Sequence, residues 1–146
     1  MLDDVSDPGN LGTIIRIADW YGIGKIVCSE STTDFYNPKV IAASKGSFTR
    51  VKLMYTDLEN YLQKNAGEKM VAGAFLNGVN LYDFKFPIQK GGFIVMGNES
   101  NGVGQEVESY ITDRITIPRF GEAESLNVGI ATAVILDNLR RGEWGA

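Results

Sequence analysis

Polar side chains and glycines gather in three stretches of this 146-residue chain, and these stretches hold most of the groups able to do chemistry. The first is Asp7-Pro-Gly-Asn10-Leu-Gly12-Thr-Ile-Ile-Arg16, a glycine-rich turn entering a helix, where Arg16 is the only basic residue among the first 24. The second is Gly91-Gly-Phe-Ile-Val-Met-Gly97-Asn98-Glu99-Ser100-Asn101-Gly102, an apolar run that breaks into a polar loop. The third is Ile117-Pro118-Arg119-Phe-Gly-Glu-Ala-Glu-Ser125-Leu126-Asn127, a strand end and loop leading into an apolar helix. Carboxylate, amide, hydroxyl and guanidinium groups must do the work, because the chain has no histidine. Imidazole bases, serine-histidine triads and histidine-zinc sites are thereby excluded. The single cysteine, Cys28, can form neither an internal disulfide nor a cysteine zinc cluster, and its apolar setting predicts a buried strand residue. No metal is expected.

Each stretch also has a plain structural reading. Arg16 could be a solvated side chain on a capped surface helix, Glu99 a solvated loop carboxylate, and Ser125 the N-cap of the last helix. The glycines of the second stretch match neither the dinucleotide fingerprint nor a P-loop, since no Lys-Ser or Lys-Thr pair follows. Asn127 is harder to dismiss. It lies near the start of an otherwise apolar helix, where an unpartnered amide costs a few kcal/mol, so it requires a specific partner.

The elements that must position these groups follow from period and punctuation. Strand-like runs occur at Lys25 to Ser29, Val51 to Tyr55, Met70 to Leu76, Gly91 to Gly97 and Arg114 to Pro118, several too uniformly apolar to be half-exposed. Helical patterns occupy Leu11 to Tyr21, Pro38 to Ser44, Asp57 to Asn65, Gln105 to Tyr110 and Ser125 to Arg140. The alternation predicts an α/β fold with a mostly parallel sheet flanked by helices, in one domain, and places the polar loops where open α/β sheets bind ligands. Asn37-Pro38 reads as an N-cap with proline at the first helical position, and Thr56 to Glu59 as a capping box. The last helix is apolar around most of its circumference, which predicts burial on more than one side and a homodimer interface through this C-terminal region. The opening MLDDVSD reaches the first turn at once, so a strand there is missing or very short. The chain either opens with a helix or is a piece of a longer protein.

With 44% hydrophobic and 22% charged residues the composition is that of a soluble globular protein. No apolar run reaches the roughly 18 residues of a membrane span, and the acidic start is unlike a signal peptide, so a cytoplasmic location is expected. The net charge of −4 weighs against a broad nucleic-acid footprint but not against a local patch. Arg16, Lys39, Lys45, Arg50 and Arg119 could supply one.

Taken in order, Asn10, Gly12 and Arg16, then Gly97-Asn98-Glu99 with Gly102, then Ile117-Pro118 and Ser125-Leu126-Asn127, resemble the three motifs of the SpoU-type (TrmH-like) RNA 2'-O-ribose methyltransferases of the SPOUT class. Tyr36 to Gly46 also looks like that family's segment after its second strand. The resemblance implies a C-terminal deep trefoil knot, a homodimer and S-adenosyl-L-methionine bound in the knotted loops. By this likeness Leu76, Gly97, Ile117 and Leu126 line the cofactor pocket. Arg16, Asn10, Glu99, Ser125 and Asn127 make up the catalytic set, with Asn10 and Glu99 holding the Arg16 guanidinium and Ser125 and Asn127 positioning cofactor or ribose. A guanidinium stays protonated, so an electrostatic clamp by Arg16 is favoured over proton abstraction.

The implied substrate is structured RNA, ribosomal before transfer RNA. Family members commonly carry an N-terminal RNA-binding domain, so residues 1–146 read as the catalytic domain and the full protein is expected to bear a more basic N-terminal extension. The competing readings are a non-catalytic dimeric RNA-binding module of the same fold, against which the full polar set argues, and a generic nucleotide-binding domain, against which the missing phosphate fingerprint argues.

Overall fold

Parallel strands with helices on both faces organise residues 1–143, the part of the chain that the computed structural model describes. In order the elements are α1 (Pro8–Trp20), β1 (Lys25–Ser29), α2 (Pro38–Ser44), β2 (Lys52–Thr56), α3 (Leu58–Asn65), β3 (Met70–Asn80), β4 (Gly92–Val95), α4 (Gln105–Glu108), β5 (Asp113–Thr116) and α5 (Val128–Arg141), with short 3-10 turns at Ser47–Thr49 and Ile88–Lys90. β1 pairs with β2, and β3 lies between β4 and β5, all in parallel. Leu2 joins the two groups by bridging Cys28 on one side and Met96 on the other, so the spatial order is β2-β1-Leu2-β4-β3-β5. The short opening strand is thus this one bridging residue. Its N–H donates to Val27 O at 2.8 Å, and its carbonyl accepts from Ser29 N–H at 2.9 Å.

Alternation along the strands builds a core on each face. Ile26, Cys28, Ala72, Met96 and Ile115 pack with Leu11, Ile14 and Ile15 of α1, Val40 of α2 and Ile135 of α5. Val27, Val71 and Val95 point the other way, onto Leu58 and Leu62 of α3 and Val107 of α4. Cys28 is fully buried, as its apolar setting predicts, and burial pushes its thiol up to about 12.

β1 and α2 have the bounds expected from the sequence, and Asn37 caps α2 by accepting from Lys39 N–H at 2.9 Å. Two caps differ. Asp57, not Thr56, caps α3, accepting from Asn60 N–H at 2.8 Å, because the aspartate one residue later reaches the same orphan donors. Asn127, not Ser125, caps α5, so the helix starts three residues later than expected. β3 also outruns its predicted end. Ala74 and Val79 both face Ile115, and the four residues Phe75 to Gly78 bulge out between them.

Gly12 explains why α1 and α2 lie so close. A Cβ there would come within 2.5 Å of Val40 O and 2.6 Å of the Ala43 Cβ. Gly12→Ala is therefore expected to cost about 1–3 kcal/mol through overpacking, read as a lower urea midpoint at unchanged slope. A variant as stable as the parent would mean that the helices separate at no cost.

Candidate active site

Parallel strands send every strand-to-helix loop to one edge of the sheet, and there the three polar stretches meet. Asp7 caps α1 by accepting from Asn10 N–H at 3.1 Å, and Pro8 fills the first turn, which sets Asn10 at the rim of that edge. After β4 the chain closes a tight turn, in which Asn98 and Gly102 exchange backbone hydrogen bonds of 2.9 and 3.0 Å. Gly102 has φ near 70°, and a Cβ on Gly97 would sit 2.3 Å from the Gly102 carbonyl carbon, so glycine is required at both positions. The Asn98 side chain locks the turn from within, accepting from Ser100 and Asn101 N–H and donating to Asp4 O at 2.8 Å. Glu99 projects from this turn toward the start of α1.

A directed chain of hydrogen bonds then ties the three stretches together. Asn127 caps α5 with its carbonyl oxygen, accepting from Gly129 N–H at 2.8 Å and Ile130 N–H at 3.2 Å. Its amide nitrogen can only donate, and it donates to Asn10 Oδ1 at 2.8 Å. Asn10 Nδ2 in turn donates to Glu99 Oε1 at 3.2 Å. Glu99 also accepts from Asp7 N–H at 3.1 Å and from the Ser6 N–H and hydroxyl at 3.3 and 3.2 Å. Desolvation raises the Glu99 pKa, but hydrogen bonds from its own N–H, from Asn10, Asp7 and Ser6 outweigh it and hold the carboxyl below its ordinary value. The partner that Asn127 requires is therefore Asn10.

The other sequence-predicted residues are placed differently. Arg16 is exposed on α1 and takes part in no ion pair among the described residues, and the acceptors of Glu99 are filled by Asn10, Ser6 and Asp7 rather than by its guanidinium. Ser125 and Leu126 are exposed on the loop before α5, Leu76 stands out from the β3 bulge, and Ile117 packs half-buried against the core. Of the five basic candidates, Arg50 is spent on Asp19 at 2.7 Å, and Arg119 donates within its own loop to Ala123 O at 3.2 Å. Sequence reasoning missed Ser6 and Asp3, the latter accepting from Gly104 N–H at 2.7 Å. Both act through contacts more than 90 residues apart in sequence, which no local pattern reveals. Asp7 was findable from the Asp-Pro cap signature.

A cavity of about 390 Å³ opens at the opposite strand ends, lined by Ile26, Phe93, Ile94 and Leu136 among others, and holds none of these loop residues. At the loop edge itself the Thr116 hydroxyl is buried without a hydrogen-bond partner among the described residues.

The chain matches a known family model, that of the SpoU rRNA Methylase family, over residues 1–137. The chain belongs to the SpoU rRNA methylase family. It is 33% identical over 142 residues to the 23S rRNA (guanosine(2553)-2'-O)-methyltransferase RlmP of Bacillus subtilis, covering 96% of this chain and 56% of that protein. Among solved structures, a TrmH-family protein from Porphyromonas gingivalis is similar at 41% identity and TM-score 0.88, over 97% of this chain and 58% of the other. An AdoMet-bound rRNA methyltransferase from Sinorhizobium meliloti is similar at 34% identity and TM-score 0.85, over 97% and 54%. The chain thus spans little more than half the length of these SpoU-family relatives.

Because the Glu99 pKa is lowered in the fold, its stabilising contribution is complete above the unfolded value of about 4.3 and is lost as pH falls through the lower folded value. Urea midpoints measured through the acid range are expected to fall for the parent, and Glu99→Gln should remove that part of the slope. Asn127→Asp should keep the cap but lose the donor to Asn10, costing about 1–2 kcal/mol at pH 7 in the same assay. Equal stability of Asn127→Asp and parent would contradict the directed chain.

Proposed function

We propose that this chain is the catalytic part of an S-adenosyl-L-methionine-dependent RNA 2'-O-ribose methyltransferase, with ribosomal RNA as substrate. The observation that carries this reading is the hydrogen-bonded chain Asn127–Asn10–Glu99, which gathers the three family motifs at one edge of the sheet. Membership of the SpoU family and the rRNA 2'-O-methyltransferase activity named for RlmP support it, as does the bound AdoMet of the Sinorhizobium meliloti neighbour.

The loop residues suit an adenosyl group. Leu76 and Leu126 are apolar side chains left 78% and 50% exposed, a surface that a bound purine would cover. Gly97 lets the Gly102–Val103 backbone close the turn against it, which shapes the loop beside these side chains. Leu76, Gly97, Ile117 and Leu126 would hold the cofactor, which supplies a methyl group already activated by a sulfonium charge. A ribose hydroxyl is a weak nucleophile, so the protein must orient it and stabilise the charge that develops on its oxygen. Arg16, exposed and outside the hydrogen-bonded chain, is the cation that can turn to a phosphate and to that oxygen. Asn10, Glu99 and Asn127 fix the start of α1, the helix that carries Arg16 further along, and Ser125 offers a hydroxyl to the ribose or cofactor.

The same reading includes the trefoil knot, with the C-terminal part of the chain threaded through a loop. It also includes a homodimer through α5, whose Ile130 is 53% exposed and adjoins the half-buried Ala133 and Val134. A cytoplasmic setting suits the RNA substrate, and among the described residues no helix is long and apolar enough to cross a membrane.

Arg16→Ala is expected to slow methyl transfer to RNA at least about 100-fold, the loss typical of one transition-state donor, while calorimetric affinity for S-adenosylmethionine stays nearly unchanged. Transfer at the parent rate would remove Arg16 from the mechanism.

A further inference from the structure

The β3 bulge, Phe75 to Gly78, interrupts a strand at the point where the candidate cofactor pocket needs a wall, and one residue of β5 holds it in shape. Phe75 folds back over Gly73, whose missing side chain makes the room, since a Cβ there would lie 2.5 Å from the Phe75 ring. The Arg114 guanidinium stacks over a face of that ring, with its carbon 3.7 Å from the ring centroid. Its fork then reaches in two directions. Nη2 and Nε donate to the Asn77 side chain and carbonyl at 3.1 and 3.4 Å, and Nη1 donates to Glu108 of α4 at 2.6 Å. Gly78 completes the fit, because a Cβ there would strike the Arg114 carbonyl oxygen at 2.4 Å. With the residues on either side of it so held, Leu76 is turned out from the sheet.

We propose that Arg114 is a positioning residue for cofactor binding, a planar bracket that fixes the β3 bulge and so presents Leu76 to the adenosyl group. The inference rests on the cofactor reading of Leu76 given above. Charge alone does not make such a bracket. Only a flat, five-donor head can stack on Phe75 while bridging Asn77 and Glu108, and an ammonium at the same place cannot.

The experiment uses S-adenosylhomocysteine as the calorimetric probe, with hydrogen exchange of the bulge amides and urea unfolding measured on the same samples. Arg114→Lys and Arg114→Met are both expected to weaken binding about five- to tenfold, the scale of one lost hydrogen bond. Faster exchange confined to the bulge should accompany the loss. Asn77→Ala, which cuts only the bulge side of the bracket, should shift affinity and exchange in the same direction. Unfolding midpoints should stay close to the parent, since the Arg114–Glu108 pair is about 40% exposed on each side and such pairs add little. The bracket is overturned if Arg114→Lys binds like the parent, or if affinity falls only in step with lost stability across the variants. Absence of binding to the parent itself would overturn the cofactor reading and this inference with it, whereas normal parental binding with indifferent variants overturns the bracket alone.

Discussion

A side-chain amide has one end that accepts and one that donates, and the candidate site is organised by that polarity. Asn127 must point its oxygen at the start of α5, because Gly129 and Ile130 have no helical acceptors for their N–H groups. Its nitrogen then faces Asn10, which must present oxygen to it and nitrogen to Glu99. Glu99 receives every bond it makes here, which favours its ionised form, and Ser6 and Asp7 reinforce that state. The requirement passes in one direction, from a helix cap to a carboxylate, across contacts of 117 and 89 residues in sequence. A shift of any one of the three loops breaks at least one of these bonds.

The sheet makes that meeting possible. With all strands parallel, the loops carrying Asn10, Glu99 and Asn127 emerge together, and Leu2 holds the two halves of the sheet in one layer. The amide chain serves the α1 and α5 side of the edge. Arg114 lies on the opposite face, with α4, and restrains the β3 bulge. The candidate cofactor residues therefore sit between two polar anchors that share no residue. Arg16 belongs to neither, which suits the role proposed for it.

Much of this was legible in the residues. β1 and α2 announce themselves by a short apolar run and by Asn-Pro capping, both local signals. The motif residues were also readable, and so was the need of Asn127 for a partner. The identity of that partner was not, because it depends on how the chain brings residue 127 beside residue 10, a long-range event with no local pattern. For the same reason Glu99 looked like a ligand for Arg16, when backbone donors at Ser6 and Asp7 already claim its oxygens. Ser125 and Asn127 are both good caps, as are Thr56 and Asp57, and only packing decides between them. The β3 bulge was hidden because the strand pattern breaks off at Leu76, whereas in the fold the strand resumes at Val79 once Gly73, Gly78 and Arg114 enclose Phe75 to Gly78.

The most direct test of the account is to incubate the protein with methyl-labelled S-adenosylmethionine and ribosomal RNA lacking 2'-O-methylation, then digest the RNA and identify the labelled nucleoside. The account predicts label in a 2'-O-methylated ribonucleoside. Cofactor and RNA binding without transfer would contradict it, and would make the chain a binding module that keeps the architecture of the site without its chemistry.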